Sequence, residues 1–262
     1  MHAKRLLTAA VLVPVFYIYI TKLPGIWFDG LAAVMGMIAL WEFMHFYGAP
    51  SAMKLTGMAL GLFFLAGAAL SGRVPAGIYS FLLLIAVTIR LFKSGPPSAL
   101  KEISTVVVAL LYIPGLIVYQ MFLRDLGAQW VIFLYGTVWI GDSAALYVGH
   151  ALGKRKLYPE VSPNKTVEGA IASMAGGAAA GFAAGMVFQL GISPAAAAGL
   201  GLLMGTIAIA GDLVESMFKR DAGVKDSSHM LPGHGGMLDK LDGTLFSAPI
   251  LYWALLIIHV RY

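Results

Sequence analysis

Apolar residues form long, nearly uninterrupted runs along most of this chain, and shorter polar stretches separate them. Each run approaches the ~20 residues that an α-helix needs to cross the hydrocarbon core of a bilayer. We therefore predict an all-α, polytopic integral membrane protein with about nine transmembrane helices. The runs cover residues 6–20, 26–43, 55–70, 76–91, 103–122, 130–149, 170–190, 195–211 and 244–260.

The charges in the polar stretches predict the orientation of the helices. With the N-terminus in the cytoplasm, most of the 18 Lys and Arg residues lie on the cytoplasmic side, as is usual for membrane proteins. Two long polar loops, residues 150–169 and 212–243, then also face the cytoplasm, where they would meet cytosolic nucleotides. The basic residues left on the opposite side are Lys22, Arg73, Arg124 and Arg261.

The composition agrees with a membrane protein and removes several alternatives. Hydrophobic residues make up 59% of the chain, charged residues make up 12%, and the mean hydropathy is +0.82. The sequence contains no Cys, which excludes disulfides and thiolate metal sites. The net charge of +5 follows from the topology, and no basic run with interleaved aromatic residues indicates a nucleic-acid partner. The first run lacks a small-x-small cleavage site, so we expect a retained helix; a short N-terminus without a targeting extension favours a bacterial inner membrane.

The most highly charged part of the chain is residues 211–242. On a helix, spacings of i, i+3, i+4 and i+7 put Asp212, Glu215, Ser216 and Lys219 on one face. A glycine-rich loop follows, and Asp239 and Asp242 then open the last apolar run at i and i+3. Carboxylates suit Mg²⁺, and free loop N–H groups together with lysines suit phosphate. The alternative interpretation is a solvated loop with charges reaching out of the bilayer, which would explain Lys and Arg better than aspartates on helix faces.

A second polar feature begins inside the sixth run. Asp142 lies in the middle of that run, where an unpaired carboxylate costs about 3 kcal/mol, so it is either functional or bonded to a neighbouring helix. The three basic residues at 154–156 would attract anionic head groups at the membrane surface. Residues 162–166 have the pattern of a capped helix start, which is a ready anion site. The Gly- and Ala-rich seventh and eighth runs should pack closely and bring Asp142, Lys165 and Asp212 within reach of one another.

The first half of the chain offers less chemistry. We interpret the chain as a single membrane domain, 1–262, with scaffold helices in 1–125 and catalytic helices and cytoplasmic loops in 126–262. Trp41, Glu42 and His45 lie near the cytoplasmic end of the second run. We interpret these three residues as an interfacial anchor group.

Several motifs stand out between residues 139 and 242. They are S-M-F-K-R at 216–220, K-D-S-S at 225–228, P-G-H-G-G at 232–236, L-D-K-L-D at 238–242, G-D at 141–142 and S-P-N-K-T-x-E-G at 162–169. These motifs resemble those of the phosphatidate cytidylyltransferase family, also called CDP-diacylglycerol synthases. One departure is Lys240, where the family usually has Arg, so a phosphate contact there would be a point charge instead of a bidentate fork.

The resemblance implies that CTP and phosphatidic acid give CDP-diacylglycerol and pyrophosphate, with Mg²⁺ and a homodimer in the membrane. It implies metal ligation by Asp212 and Asp239. The sequence leaves the number of metals open, with room for a second, monovalent cation beside Mg²⁺. We expect the catalytic residues to be Asp212, Asp239, Asp242 and Lys219. We expect the substrate-binding residues to be Asp142, Lys165, Thr166, Glu168, Ser216, Arg220, Lys225, Asp226, His234, Gly235, Gly236 and Lys240.

Two other functions remain open at this point. An ion-coupled transporter would suit many helices, an intramembrane Asp and glycine-rich packing, although the polar residues cluster at one rim and no inverted repeat is evident. A CTP-dependent enzyme acting on another lipid phosphate would need nearly the same residues. The DGxxAR pattern of CDP-alcohol phosphotransferases is not present in the sequence, and neither is a Walker A loop or HExxH.

Overall fold

The computed structural model describes residues 14–72, 74, 77–93, 97–228, 230 and 235–260, with the side chains of the last two residues of that range excepted. Its regular structure is helical apart from one small hairpin, which confirms the predicted all-α, polytopic membrane fold class. The helices are α1 (14–22), α2 (Gly25–Phe46), α3 (Ser51–Ser71), α4 (Gly77–Lys93), α5 (Ala99–Tyr112), α6 (Pro114–Leu126), α7 (Ala128–Leu152), α8 (Val167–Val187), α9 (Pro194–Asp221) and α10 (Leu238–Val260). The hairpin pairs β1 (Lys156–Tyr158) with β2 (Ser162–Thr166) in antiparallel fashion.

Among the described residues, seven helical stretches are long and apolar enough to cross a membrane. The chain is therefore an integral membrane protein. The predicted first run lies mostly outside the described residues, and the fourth forms α4, which has only 17 residues. The total of nine helices and the cytoplasmic N-terminus stay predictions. The seven stretches are Gly25–Phe46, Ser51–Ser71, Ala99–Leu126, Ala128–Leu152, Val167–Val187, Pro194–Asp221 and Leu238–Ile258.

The predicted fifth run is not one continuous helix. It divides into α5 and α6 at Ile113, and α6 begins at Pro114. Proline has no backbone N–H and clashes with the preceding turn, so it is tolerated at the first position of a helix and not in its interior. The break therefore falls where the sequence places proline.

Glycines let α7, α8 and α9 approach at backbone contact. A Cβ on Gly177 would collide with the carbonyl oxygen of Gly201, and a Cβ on Gly201 would collide with that of Gly177. A Cβ on Gly205 would lie 2.5 Å from the carbonyl oxygen of Ser173 on α8. These contacts confirm the close packing predicted from the Gly- and Ala-rich runs.

The first half of the chain packs around the end of α2. This helix contacts α3, α5 and α6, and it also reaches α10. The ring of Phe43 on α2 lies 5.2 Å from that of Phe218 on α9, and Tyr112 on α5 lies 5.4 Å from Phe218. The end of α2 is thereby fixed next to the segment that joins α9 to α10.

Candidate functional site

A cavity of about 660 Å³ lies where α7, α9, α10 and the hairpin meet. Its walls combine acidic groups from three helices with basic and neutral polar groups from the hairpin. Apolar side chains, including Leu146 and Ile209, complete the lining. The polar residues in the lining are Asp142, His150, Lys156, Asn164, Lys165, Thr166, Asp212, Asp239 and Asp242.

Three carboxylates form a compact group at this cavity. One oxygen each from Asp212, Glu215 and Asp242 lies within 4.8 Å of the others. A Cβ on Gly211 would lie 2.5 Å from the carbonyl oxygen of Asp242, so this glycine lets α9 and α10 come close enough for the grouping. Carboxylate oxygens are the ligands that hard divalent cations such as Mg²⁺ prefer, so the donor set fits the metal that the sequence predicts.

Lys219 joins this group to Asp239. Its Nζ lies 2.5 Å from Oε2 of Glu215 and 2.5 Å from Oδ1 of Asp239. The second oxygen of Asp239 accepts hydrogen bonds from the backbone N–H of Gly236 (2.7 Å) and from the N–H and hydroxyl of Ser227 (3.1 and 2.9 Å). Asp239 is thus held by a lysine on one side and by loop donors on the other.

Lys165 bridges the hairpin and α9. Its Nζ lies 2.5 Å from Oδ2 of Asp212, and the two side chains are 22% and 42% exposed. Because both groups line the cavity, an incoming phosphate has access to the ammonium and a cation has access to the carboxylate. The predicted proximity of Asp142, Lys165 and Asp212 is confirmed.

The hairpin is fixed to α8 by local caps. The hydroxyl oxygen of Thr166 accepts a hydrogen bond from the N–H of Gly169 (3.1 Å), which makes Thr166 the N-cap of α8. Oε2 of Glu168 accepts hydrogen bonds from the N–H groups of Lys154 (3.0 Å) and Arg155 (3.2 Å). The capped helix start predicted from the sequence is therefore present, with a short strand in place of the expected loop before it.

Comparison with known proteins gives a family. Residues 3–258 match the model of the cytidylyltransferase family. A phosphatidate cytidylyltransferase of Bacillus subtilis (strain 168) is 34% identical over 96% of this chain and 97% of its own length. Enzymes of the same name from Synechocystis sp. and Brucella suis are 42% and 45% identical over 47% and 48% of this chain, and over 41% and 46% of their own lengths.

The chain belongs to the cytidylyltransferase family. It is therefore a nucleotidyltransferase, and the resemblance noted in its motifs is confirmed.

Among the described residues, some of the site residues expected from the family resemblance line the cavity, and others contact residues that line it. Ser216 contacts Asp212, with Oγ and Oδ1 3.4 Å apart. Arg220 donates hydrogen bonds to the carbonyls of Val161 (3.3 Å) and Val224 (3.2 Å), so it ties the hairpin to the end of α9. The expected site residues that line the cavity are Asp142, Lys165, Thr166, Asp212, Asp239 and Asp242.

Other expected site residues are not in the lining of this cavity. Lys225, Asp226 and Lys240 are exposed at the surface of the loop and the start of α10. Gly235 has a φ of +78°, a conformation that favours glycine, and Gly236 gives its N–H to Asp239. His234 lies outside the described residues.

Two acids in this region were not among the expected site residues. Glu215 shares the predicted helix face with Asp212 and is fully buried, so the spacing was a sufficient signal. Glu42 is also buried, at 2% exposure, and it accepts hydrogen bonds from Ser227, Ser228, Met237 and Leu238. The interpretation of Glu42 as an interfacial anchor is therefore wrong. A lone acid in an apolar run, the signal that identified Asp142, was present there as well.

Trp41 and His45, the other two residues of the predicted anchor group, are exposed, unlike Glu42. The rings of Trp41 and His45 are stacked with centroids 6.1 Å apart, and Lys54 lies over the Trp41 ring at 5.1 Å, at the surface. Burial and a hydrogen bond from its hydroxyl to Asp221 (2.9 Å) raise the pKa of Tyr47 above its usual range. The hydrogen bond from Tyr47 to Asp221 and the packing of Phe43 against Phe218 thus both connect the end of α2 to the end of α9.

Proposed function

We propose that the protein transfers the cytidylyl group of CTP to phosphatidate, which yields CDP-diacylglycerol and pyrophosphate. The observation that carries this proposal is the cavity that joins Asp212 and Asp242, which are grouped with Glu215, to Lys165 beside apolar side chains. A site that brings two phosphate-bearing reactants together needs both a cation-binding group and fixed positive charge. The family membership and the phosphatidate cytidylyltransferase name of the Bacillus subtilis relative support the same choice.

In the proposed reaction, an oxygen of the lipid phosphate attacks the α-phosphorus of CTP. A new P–O bond forms there, the bond from the α-phosphorus to the bridging oxygen breaks, and pyrophosphate leaves with the electron pair. No side chain forms a covalent bond, so the protein contributes position and charge. Mg²⁺, when bound, would polarise the phosphate oxygens and neutralise the charge that develops on them.

The chain's own residues would divide these tasks between them. Asp212 and Asp239 would hold the divalent cation, and Glu215 and Asp242, which each have an oxygen within 4.8 Å of one from Asp212, would be able to contribute oxygens. Lys165 and Lys219 contact carboxylates directly, so they occupy positions for which a cation would compete. With those oxygens engaged by a cation, the ammonium groups of Lys165 and Lys219 would be free to contact the phosphates of the substrates.

The remaining expected residues are proposed to bind the nucleotide and the lipid phosphate around this centre. We propose that the site faces the cytoplasm from a bacterial inner membrane, that a monovalent cation accompanies Mg²⁺, and that the protein is a homodimer. The residues proposed to bind substrates beyond the lysines above are Asp142, Thr166, Glu168, Ser216, Arg220, Lys225, Asp226, His234, Gly235, Gly236 and Lys240. The division at residue 125 into scaffold and catalytic halves is likewise proposed.

Product stoichiometry and acceptor choice test the proposal. Purified protein in detergent–lipid micelles with Mg²⁺ and CTP should release one pyrophosphate for each phosphatidate consumed. Replacing phosphatidate by a polyprenyl phosphate should stop the release. Faster turnover with that acceptor would identify an enzyme for another lipid phosphate, and solute flux into proteoliposomes without lipid product would identify a transporter.

A further inference from the structure

Glu42 on α2 accepts hydrogen bonds from the segment between α9 and α10 and from the first residue of α10, the helix that carries Asp239 and Asp242. Its Oε1 accepts hydrogen bonds from the N–H of Met237 (3.0 Å) and from the hydroxyl of Ser228 (2.5 Å). Its Oε2 accepts hydrogen bonds from the N–H of Leu238 (2.9 Å) and lies 3.1 Å from the hydroxyl of Ser227. One carboxylate from the first half of the chain thus joins the middle of the segment between α9 and α10 to the start of α10.

The segment between α9 and α10 also donates hydrogen bonds to Asp239. Ser227 lies between the two acids, because its hydroxyl is 2.9 Å from Oδ2 of Asp239 and 3.1 Å from Oε2 of Glu42. A hydroxyl carries one proton, so Ser227 can donate to only one of these carboxylates at a time. A Cβ on Gly236 would lie 2.5 Å from Oε1 of Glu42 and would also collide with the Ser227 hydroxyl, so a larger residue there would force these side chains to shift.

The contacts of Glu42 also set the start of α10. Its two backbone donors, Met237 and Leu238, are at the N-terminal end of that helix, where N–H groups have no partner within the helix. A negative charge there is favourable because of the helix dipole. Asp239 and Asp242 both lie in the first turns of α10, so the position of this helix end fixes both carboxylates at the cavity.

A carboxylate buried this deeply is costly unless donors surround it, and four donors surround Glu42. We propose that Glu42 is a positioning residue for the metal-binding carboxylates, and that it acts on Asp239 through Ser227 and the first turn of α10. The metal role of Asp239 rests on the proposed function. Partners that orient a metal ligand typically change metal affinity by about 10- to 100-fold when they are removed.

Glu42→Gln and Asp29→Asn form a matched pair of variants. Both change a buried acid on α2 to its amide, but Asp29 lies near the opposite end of that helix from Glu42. Gln keeps the size of Glu42, retains one acceptor oxygen and turns an NH₂ group toward the loop donors. Ser227→Ala tests the same link to Asp239 while leaving the Glu42 carboxylate in place.

Two measurements on the purified full-length variants test the role without depending on turnover. Hydrogen exchange of the peptide covering 235–242 reports whether the N–H groups of Met237 and Leu238 have lost their acceptor. Mn²⁺ binding followed by electron paramagnetic resonance reports on the carboxylates. We expect Glu42→Gln to speed the exchange and to weaken Mn²⁺ binding by about 10- to 100-fold. We expect Asp29→Asn to change neither, and Ser227→Ala to weaken Mn²⁺ binding by about 10-fold.

Faster exchange with unchanged Mn²⁺ affinity would overturn the proposal, because Glu42 would then stabilise the loop without positioning Asp239. Equal effects of Glu42→Gln and Asp29→Asn would overturn it as well. If Asp239→Asn left the Mn²⁺ affinity unchanged, Asp239 would have no metal-binding role, and the proposal rests on that role. A protein that binds Mn²⁺ in a way that depends on Glu42 and yet makes no CDP-lipid would contradict the proposed function. That result would still support the positioning role of Glu42.

Discussion

Lys165 on the hairpin and Asp212 on α9 form an ion pair, with Nζ and Oδ2 2.5 Å apart, at the wall of the cavity. The two residues are separated in sequence by the whole of α8, whose glycines bring α9 against it. Their opposite charges match the two requirements of nucleotidyl transfer, a cation held by carboxylate and a phosphate held by ammonium. Under the proposed function, this pair is the point at which substrate binding and metal binding would meet.

Replacing Lys165 by Met should lower kcat/KM for cytidylyl transfer by about 10²- to 10³-fold, as is typical when one group that stabilises developing charge is lost. The midpoint of thermal unfolding should change little, because partly exposed ion pairs contribute about 0–1 kcal/mol to stability. Lys165→Arg, which keeps the charge, should lose less activity. Steady-state kinetics within twofold of wild type for Lys165→Met would exclude a role in phosphate binding.

Gly201→Ala should destabilise the protein by about 1–3 kcal/mol, the usual cost of an added group in a packed interior. The added Cβ would collide with the backbone of Gly177 on α8. Gly199→Ala on the same helix is the matched control, because a Cβ there meets nothing within 4 Å. Thermal unfolding in detergent compares them, and equal midpoints for the two variants would contradict the backbone contact between α8 and α9.

The periodicity of the sequence predicted the helical fold and pointed to several of the acids that line the cavity, because both depend on local spacing. Asp212 and Asp242 stand at helix-face intervals, and Asp142 is a lone acid in an apolar run. The contacts of Glu42 could not be predicted in this way, since its partners lie 185 to 196 residues further along the chain. Its place as a lone acid in an apolar run marked Glu42 as unusual, but the local sequence does not show which distant groups it contacts.

Two errors in local structure have equally physical causes. The hairpin at Lys156–Thr166 has short, mostly exposed strands, so it lacks the alternation of apolar and polar residues that identifies a strand. The division of the fifth run at Pro114 was readable from the sequence, but the apolar pattern continues through it. Hydropathy alone therefore joined two helices that proline separates.

Glu215→Gln should raise the Mg²⁺ concentration needed for half-maximal activity by about 10-fold or more. Glu215 is fully buried, contacts Lys219 and belongs to the carboxylate group with Asp212 and Asp242. Glu160→Gln, at an exposed position of the hairpin, is the control and should leave the Mg²⁺ titration unchanged. Coincident titrations for wild type and Glu215→Gln would remove Glu215 from the metal site.

The orientation predicted from charge can be read directly, because the chain has no Cys of its own. Single cysteines replacing Lys22 and Lys101, both at exposed positions, should react differently with a membrane-impermeant thiol reagent in intact cells. We expect Lys22→Cys to be labelled from outside and Lys101→Cys to be labelled only after the membrane is permeabilised. The reverse pattern would place the N-terminus outside and the cavity away from the cytoplasm.

The central claim is cytidylyl transfer to phosphatidate, and the position of a label tests it most directly. Purified protein in detergent–lipid micelles receives Mg²⁺, phosphatidate and CTP labelled on either the α- or the γ-phosphate. We predict that α-label enters the lipid phase, that γ-label stays in the aqueous phase as pyrophosphate, and that EDTA or Asp239→Asn abolishes the lipid label. Transfer of γ-label to lipid would contradict the account. The absence of lipid label from folded protein with both labelled forms of CTP would contradict it as well.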